Sequence, residues 1–434
     1  MRKLICLLMV LCCLPIAAQA AAGMSIVPRE MGVEYDITGA GEWIRLIWKS
    51  TNDRGMKTLY SPDGHFSGSL ELPYGAPGGR YTIAVENMKA AQVAKTTVDI
   101  PQAADYQAPV GASNGKVTNL ILTETPEGFK YSFIAENTDY MMLYYRSIQE
   151  EVCFPVYPVD GNGRYEGEVV SEATYARTLF KVQIRSGNGK LKKEGEVRKA
   201  YEAPEAPPQQ EGRLSGVVVC IDPGHHENHQ PFREQKGPGL SGSVNNSGGM
   251  AQGLKTLRRE SIVTLETGMI LRDLLIQEGA TVVMTRHKVD DFITNIGRCD
   301  VAEAGGAHIM LRLHCNMNDN RNKTGIQIYG PLNSTYAKAV ADAPTYRAMG
   351  EALLDEMKKA TGFALEQKTG FVTLNDDYVG NNWAKMTCFL VEMGYMSNIG
   401  EDIKLATPEY QTMLAEGMVE GVYQIALMRG WIQE

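Results

Sequence analysis

The sequence predicts two small all-β sandwich (immunoglobulin-like) domains followed by an α/β domain with a helix-covered sheet. Three observations predict this division. The front half alternates apolar and polar residues between turns, a proline-rich segment interrupts the chain at 203–210, and the back half alternates strand-like and helix-like runs. A chain of 434 residues, 44% of them apolar, is long enough for two or three domains with their own cores.

The first 22 residues are expected to be a secretory signal peptide. Arg2 and Lys3 precede an apolar run over 5–16, and an Ala-Gln-Ala cleavage pattern follows at 18–20. The apolar run is shorter than the roughly 20 residues that a membrane-spanning helix needs. We therefore expect a protein that is secreted or held in the cell envelope, with no stable membrane span after the peptide is removed.

The net charge argues against one class of partner, and the cysteines argue against a disulfide framework. The formal net charge of -8 argues against nucleic acid, because phosphate binding needs a basic face. Beyond the signal peptide the cysteines are odd in number and irregularly spaced, so no disulfide framework is predicted. Four of them lie in apolar runs of the back half and are expected to be small buried side chains: Cys220, Cys299, Cys315 and Cys388.

The front half contains an internal duplication. Residues 63–70 are echoed by 162–169, and residues 81–85 by 180–184, both at an offset of 99 positions. Alternating polarity with a turn before each run predicts half-buried antiparallel strands in both copies. We therefore expect one sandwich over 23–105 and a second over 106–200.

A linker and a larger domain follow. Residues 201–213 are rich in proline and are expected to form an extended spacer, and the α/β domain spans 214–434. Its predicted strands are Val217–Ile221, Thr281–Thr285, His308–Leu313, Gly325–Tyr329 and Thr387–Val391. Its predicted helices are Glu260–Gln277, Asn295–Ala304, Pro344–Ala360 and Pro408–Met428.

Four polar side chains in this domain predict a metal site. His225 and His314 each end a strand-like run, and strand ends are where α/β sheets build their sites. A hydrolytic zinc ion needs about three nitrogen or oxygen ligands and an open position. Glu260, which opens a helix-like stretch, is the candidate third ligand. Glu392 lies in an apolar strand exit, where a carboxylate costs several kcal/mol unless it is paired or ligating, and is the candidate general base.

Each of these residues also has an ordinary structural interpretation. A single histidine at a strand end is often a hydrogen-bonded core residue, and the helix macrodipole favours a glutamate such as Glu260 in a first turn. His226 and His229 stand three apart rather than four, so they do not form the helical metalloprotease motif. Serine and cysteine hydrolases are poorly supported, because no G-x-S-x-G elbow occurs and Cys315 has no evident acid–base partner.

The order and spacing of these motifs resemble the zinc-dependent N-acetylmuramoyl-L-alanine amidases over about 214–434. The resemblance implies that His225, Glu260 and His314 bind Zn²⁺, that Glu392 is catalytic, and that the sheet is mixed and mostly parallel with helices on both faces. The matching segments are Val218–His225, Arg259–Glu260, Val282–Arg286, Leu313–Asn316 and Val391–Asn398.

Two departures from the family pattern accompany this resemblance. His226 replaces the glycine that usually follows the first histidine, and Cys315 replaces an alanine. The long segment 226–259 resembles that of a subgroup with an extended loop at this position. Two roles for such a loop stay open: lining the substrate groove, or covering the metal.

The resemblance implies a peptidoglycan hydrolase that cleaves the amide between the N-acetylmuramoyl lactyl group and L-alanine by zinc-activated water. Two alternatives stay open at this point: a zinc peptidase acting within the stem peptide, and a non-catalytic wall-binding protein with a decayed amidase domain. The sequence leaves the oligomeric state unknown and the role of the two β modules, targeting or spacing, undecided.

Overall fold

The structure is a computed structural model, and it describes residues 23–29, 32–50, 53–72, 79–100, 109–173, 177–227, 232–246, 250–362 and 371–433. The expected signal peptide at 1–22 and His229 lie outside the described residues. Among those that are described, no helix combines the length and the apolar character needed to span a membrane.

The front half consists of antiparallel strands that repeat one arrangement twice. The first copy contains β1 (Gly23–Arg29), β2 (Gly32–Thr38), β3 (Trp43–Lys49), β4 (Asp53–Tyr60), β5 (His65–Glu71), β6 (Arg80–Asn87) and β7 (Gln92–Asp99). The second contains β8 (Val117–Glu124), β9 (Gly128–Ala135), β10 (Met141–Arg146), β11 (Glu150–Val156), β12 (Arg164–Val170), β13 (Leu179–Arg185) and β14 (Leu191–Arg198).

Strand order follows the duplication in the sequence. β1-β2-β5 form one three-stranded sheet and β8-β9-β12 another, each packed against a four-stranded array, β4-β3-β6-β7 or β11-β10-β13-β14. β5 and β12, like β6 and β13, start 99 positions apart. The repeated polarity pattern therefore produces the same sandwich twice, because alternate residues of each strand face the interior.

The two sandwiches are joined edge to edge, which the sequence did not predict. β4 pairs antiparallel with β11 through Arg54 opposite Glu151 and its two flanking residue pairs. The two four-stranded arrays thereby become one eight-stranded sheet. Pairing satisfies the backbone groups of two edge strands that would otherwise be open to other chains.

Residues 201–213 lie along the α/β domain. They contain no helix or strand. The Gln209 side-chain amide donates to the carbonyl oxygens of Gly279 and Ala280 at 3.2 and 3.1 Å. Arg272 donates to the Pro204 carbonyl at 2.9 Å. The segment is extended, as its prolines favour, but these bonds fix it to the domain that follows.

The α/β domain contains a six-stranded sheet in the order β18-β15-β19-β22-β20-β21. Every neighbouring pair is parallel except β20 and β22, which are antiparallel. The strands are β15 (Val218–Pro223), β18 (Thr281–Met284), β19 (Ile309–Asn316), β20 (Gln327–Pro331), β21 (Phe371–Asn375) and β22 (Thr387–Tyr395), and a separate hairpin comprises β16 (Phe232–Gln235) and β17 (Ser243–Asn246). The helices are α1 (Glu260–Gln277), α2 (Asn295–Ala304), α3 (Thr335–Val340), α4 (Ala343–Thr361), α5 (Val379–Trp383), α6 (Ile399–Leu405) and α7 (Pro408–Met428).

Both faces of this sheet are covered by helices. Leu311 of β19 packs into a core that includes residues of α1, α4 and α7, whereas its neighbour Met310 packs with Cys299 of α2 on the other face. Strands buried on both faces read as continuous apolar runs, as β19 and β22 do. The bounds of α1, α2 and α7 agree with the prediction, whereas β21, the hairpin and the short helices were not predicted.

Trp43 connects the first sandwich to the α/β domain. It is 6% exposed and belongs to the core cluster of the α/β domain. Its ring centroid lies 4.5 Å from that of Tyr60 and 6.2 Å from that of Tyr410 on α7. The sandwich and the α/β domain therefore share apolar surface.

The substitution Trp43→Ala is expected to lower the free energy of unfolding by about 3 kcal/mol, because it removes a large buried aromatic group from this contact. Chemical denaturation of both proteins measures the difference. Tyr157→Ala is the control, since Tyr157 is 54% exposed. A loss below about 1 kcal/mol for Trp43→Ala would mean that the contact contributes little.

Candidate metal centre

His225 occupies a tight turn directly after β15. Its φ of 59° lies in the left-handed region, which non-glycine residues rarely adopt. Gly224 before it faces the ring of His314, and a Cβ there would lie 2.5 Å from both that ring and the Leu313 carbonyl oxygen. Only glycine lets the two histidine-bearing segments approach this closely.

The turn is held by a buried ionic network around Asp222. This carboxylate is fully buried and accepts from Arg298 at 2.5 Å and from Arg312 at 2.9 Å. Burial alone would raise the pKa of Asp222, but the two arginines lower it below the ordinary range. Arg298 also donates to the His225 carbonyl at 3.0 Å, and Arg286 to the Gly224 carbonyl at 3.0 Å.

Arg298 thus serves structure through its ion pair with Asp222. Arg286 makes no such pair: within the described part of the chain its hydrogen bonds go to carbonyl and hydroxyl oxygens and not to a carboxylate. The physical reason is its position, fully buried beneath the turn, where the carbonyl groups of the turn converge on the guanidinium.

Replacing Asp222 with asparagine is expected to lower the free energy of unfolding by about 3–5 kcal/mol, because two buried guanidinium groups lose their counter-charge. Denaturant unfolding of the purified proteins measures the change. Asp300→Asn on α2 is the control, since Asp300 is exposed. Equal stability of the two variants would show that the network does not support the His225 turn.

Glu260 is held in place on both sides by backbone groups. Its backbone N–H donates to the Ala251 carbonyl at 2.9 Å, and its Oε2 accepts from the Ala251 N–H at 2.8 Å. Its Oε1 accepts from the Cys315 N–H at 2.9 Å. At 2% exposure, the carboxylate has little freedom to move.

His225, Glu260 and His314 form one cluster. Glu260 Oε2 lies 3.2 Å from His225 Nε2, and Glu260 Oε1 lies 3.0 Å from His314 Nδ1. One potential ligand atom from each residue lies within 4.8 Å of the other two. Three segments that are distant along the chain therefore converge at the carboxyl ends of β15 and β19 and the start of α1.

The cluster has the chemistry of a cation site. Burial lowers the pKa of His314 to about 4, so its ring is neutral near pH 7 and keeps a lone pair. Burial alone would raise the pKa of Glu260, but its contacts with His225 and His314 lower it, so the carboxylate is charged. His314 Nε2 is buried without a hydrogen-bond partner. Two imidazoles and one carboxylate fit Zn²⁺, which binds such donors in three-ligand catalytic sites.

Glu392 lies beside this cluster on β22. Its register partner is His314 on β19, and Gln327 of β20 is opposite on its other side. Its Oε2 is buried without a hydrogen-bond partner. Burial raises the pKa of Glu392 well above the usual carboxyl range, and the charge of Glu260 raises it further. The geometry therefore places a basic carboxylate next to the candidate ligands.

A polar network around Gln327 was missed by the sequence reasoning. Gln327 Oε1 accepts from Asn316 and from the Tyr329 hydroxyl, both at 2.9 Å, and its amide donates to the Tyr395 hydroxyl. Burial raises the pKa of Tyr329, Tyr378 and Tyr395, and the nearby charge of Glu392 raises each of them further. Asn316 lies two positions after His314 in the sequence. This proximity to a candidate ligand is the local feature that could have indicated the network.

The remaining sequence candidates lie apart from the cluster or support it. His226 packs on Phe292 with ring centroids 5.0 Å apart, and residues 224–227 form no helix. His308 Nδ1 accepts from the Val218 N–H at 2.9 Å, which is a structural role. Trp383 donates to the Gln235 carbonyl at 2.9 Å and holds the β16–β17 hairpin. The four cysteines of the α/β domain are buried, as predicted.

Comparison with known proteins adds family information. Residues 219–424 match a family model described as N-acetylmuramoyl-L-alanine amidase. A germination-specific N-acetylmuramoyl-L-alanine amidase of Bacillus subtilis is 24% identical over 233 residues, which cover 50% of this chain and 83% of that protein. The amidase AmiC of Escherichia coli is 26% identical over 53% of this chain and 57% of its own length. The probable cell wall amidase LytH of Staphylococcus aureus is 25% identical over 48% of this chain and 58% of its own.

Solved structures of N-acetylmuramoyl-L-alanine amidases are also similar to this chain. AmiC2 of Nostoc punctiforme is 26% identical and covers 49% of this chain and 97% of its own, with a TM-score of 0.36. Ami1 of Mycobacterium abscessus is 19% identical and covers 49% and 99%, with a TM-score of 0.42. These TM-scores are below 0.5, so the assignment of the domain rests on the sequence matches. The chain spans less than two thirds of the AmiC and LytH proteins.

Proposed function

Residues 219–424 belong to the N-acetylmuramoyl-L-alanine amidase family, and from that membership we propose that the protein is a zinc-dependent peptidoglycan hydrolase. It cleaves the amide between the N-acetylmuramoyl lactyl group and L-alanine of the stem peptide. The observation that carries this proposal is the convergence of His225, Glu260 and His314 beside Glu392. One deeply buried carboxylate, two imidazoles and a nearby base form a hydrolytic constellation.

His225, Glu260 and His314 would hold the metal. Bound zinc supplies Lewis acidity, which makes water more acidic and polarises a carbonyl group. Glu392 accepts the proton of the attacking water, because it lies beside the candidate ligands and its buried Oε2 has no hydrogen-bond partner. It then donates that proton to the departing amine of L-alanine. The backbone bonds from Ala251 and Cys315 keep Glu260 fixed throughout.

Metal analysis combined with digestion of purified peptidoglycan tests this proposal. One zinc per chain and released peptides that begin with L-alanine are expected. Mass analysis separates the alternatives: fragments cut within the stem peptide would indicate a peptidase. A protein that binds the wall without producing new amino termini would be a non-catalytic binder.

The division of the chain is also part of the proposal. A signal peptide over 1–22 directs export to the envelope or the exterior, and immunoglobulin-like modules cover 23–105 and 106–200. The segment 201–213 joins them to the catalytic domain at 214–434. The repeated strand order supports two modules of one kind, and the similarity to LytH, a probable cell wall amidase, supports an envelope location. The N-terminal sequence of the mature protein tests the cleavage site.

A further inference from the structure

A cavity of about 420 Å³ lies between the β modules and the catalytic domain. One wall is the outer face of the eight-stranded sheet near the β4–β11 seam, and the other is formed by residues of the loop 252–259 and Ile262 of α1. Its volume falls within the roughly 300–1,000 Å³ that is typical of small-molecule sites. The candidate metal cluster does not line it.

The sheet wall carries a row of charged side chains on one face. Lys181, Arg146, Glu151 and Arg54 are successive register partners across β13, β10, β11 and β4. Register partners point to the same side of a sheet, and all four line the cavity. Only one of the four is acidic, so the row is strongly basic.

Part of this positive charge lacks an acidic partner. Among the cations that line the cavity, ion pairs join Arg177 to Glu124, Lys181 to Glu196, Arg258 to Glu266 and Arg259 to Glu227. Within the described residues, Arg54 and Arg146 form no ion pair with a carboxylate. Arginine side chains placed in this way bind phosphate or carboxylate groups in forked geometry.

The spacing and the apolar lining indicate the kind of ligand. Arg146 and Arg54 lie on strands two apart, so their backbones are separated by roughly 10 Å. Ile148 and Leu257 also line the cavity and are 45% and 54% exposed. A ligand that satisfies both features carries at least two anionic groups on a body that covers apolar surface.

We infer that this cavity is a binding site for a multivalent oxyanion, a ligand with two or more phosphate or carboxylate groups. The inference does not depend on the proposed amidase activity, because binding is measured without substrate. No residue of the candidate metal centre takes part in it.

The loop on the other wall joins this site to the candidate metal centre. Residues 252 and 256–259 of this loop line the cavity. The residues that flank the loop, Ala251 and Glu260, are joined to each other by two hydrogen bonds. Asp402 fixes the loop interior by accepting from the Lys255 and Thr256 N–H groups. A ligand in the cavity therefore contacts the loop that positions Glu260, and its binding is expected to slow amide exchange there.

Calorimetric titration of the full chain with inorganic tripolyphosphate, and separately with tricarballylate, tests the inference. The double variant Arg54→Gln/Arg146→Gln is expected to weaken binding by at least about tenfold, because each charged hydrogen bond contributes strongly. The matched control is Lys95→Gln/Lys193→Gln, which removes the same charge from exposed positions of β7 and β14 outside the cavity. If either anion chelates a bound metal ion, it does so equally in the unsubstituted protein and in both double variants, so this contribution cancels in the comparison.

Each outcome decides the inference. Stronger binding of tripolyphosphate assigns phosphate as the recognised group, and stronger binding of tricarballylate assigns carboxylate. Hydrogen exchange that slows over 252–259 in the unsubstituted protein locates the ligand in the cavity. The inference is overturned if neither anion binds, if both double variants weaken binding equally, or if the slowed amides lie elsewhere. Thermal unfolding of the variants checks that the exposed substitutions leave the fold intact.

Discussion

Glu392→Gln is expected to lower peptide release from purified peptidoglycan by about 10²–10⁴-fold, the usual contribution of a positioned general acid–base group. The amide has nearly the shape of the carboxyl group but cannot accept the proton of the attacking water. Zinc content is expected to stay at one per chain, since Glu392 is not among the three candidate ligands. Initial rates of peptide release, measured with metal content on the same preparations, provide the comparison.

The control for this experiment is Glu416→Gln, an exposed glutamate of α7. It changes the net charge by the same amount and is expected to leave the rate unchanged. Near-normal turnover of Glu392→Gln would show that another group carries the proton. Loss of zinc together with activity would show instead that Glu392 is needed to hold the metal.

His314→Ala is expected to abolish stoichiometric zinc binding and peptide release together. His314 would supply one of the three candidate donors found among the described residues. Glu260 and His225 cannot take its place, because backbone contacts fix both. Loss of a donor is expected to weaken zinc binding by more than about 100-fold, the upper range for loss of a residue that only orients a ligand. Metal analysis after dialysis against a weak chelator measures the retained zinc.

His226→Ala is the matched control, because His226 neighbours His225 in sequence but packs on Phe292 outside the cluster. It is expected to keep both zinc and activity. Full zinc occupancy in His314→Ala would contradict the proposed ligand set. Circular dichroism of both variants distinguishes loss of the metal from loss of the fold.

The bounds of several helices are set by residues close to one another in the sequence. α7 begins at Pro408, where Thr407 accepts from the Tyr410 N–H as an N-cap, and α2 begins after Thr294, which caps it in the same way. These caps and the apolar spacing are visible in the sequence, and the predicted bounds agree with the structure. The short helices α3 and α6 also have N-caps, Ser334 and Asn398. Like β21, however, they are too short for a run of apolar spacing to identify them.

Local sequence patterns are enough to predict the α/β character of the back half, the repeated strands of the front half and four side chains suited to a metal site. Periodicity, caps and strand ends carry that information because they depend on residues close together in the chain. Folding of the whole chain is needed to bring His225, Glu260 and His314 together, to place Gln327 opposite Glu392 and to pair β4 with β11. Those arrangements depend on which strands pair and how deeply each group is buried, and the residues concerned are 35 to 99 positions apart.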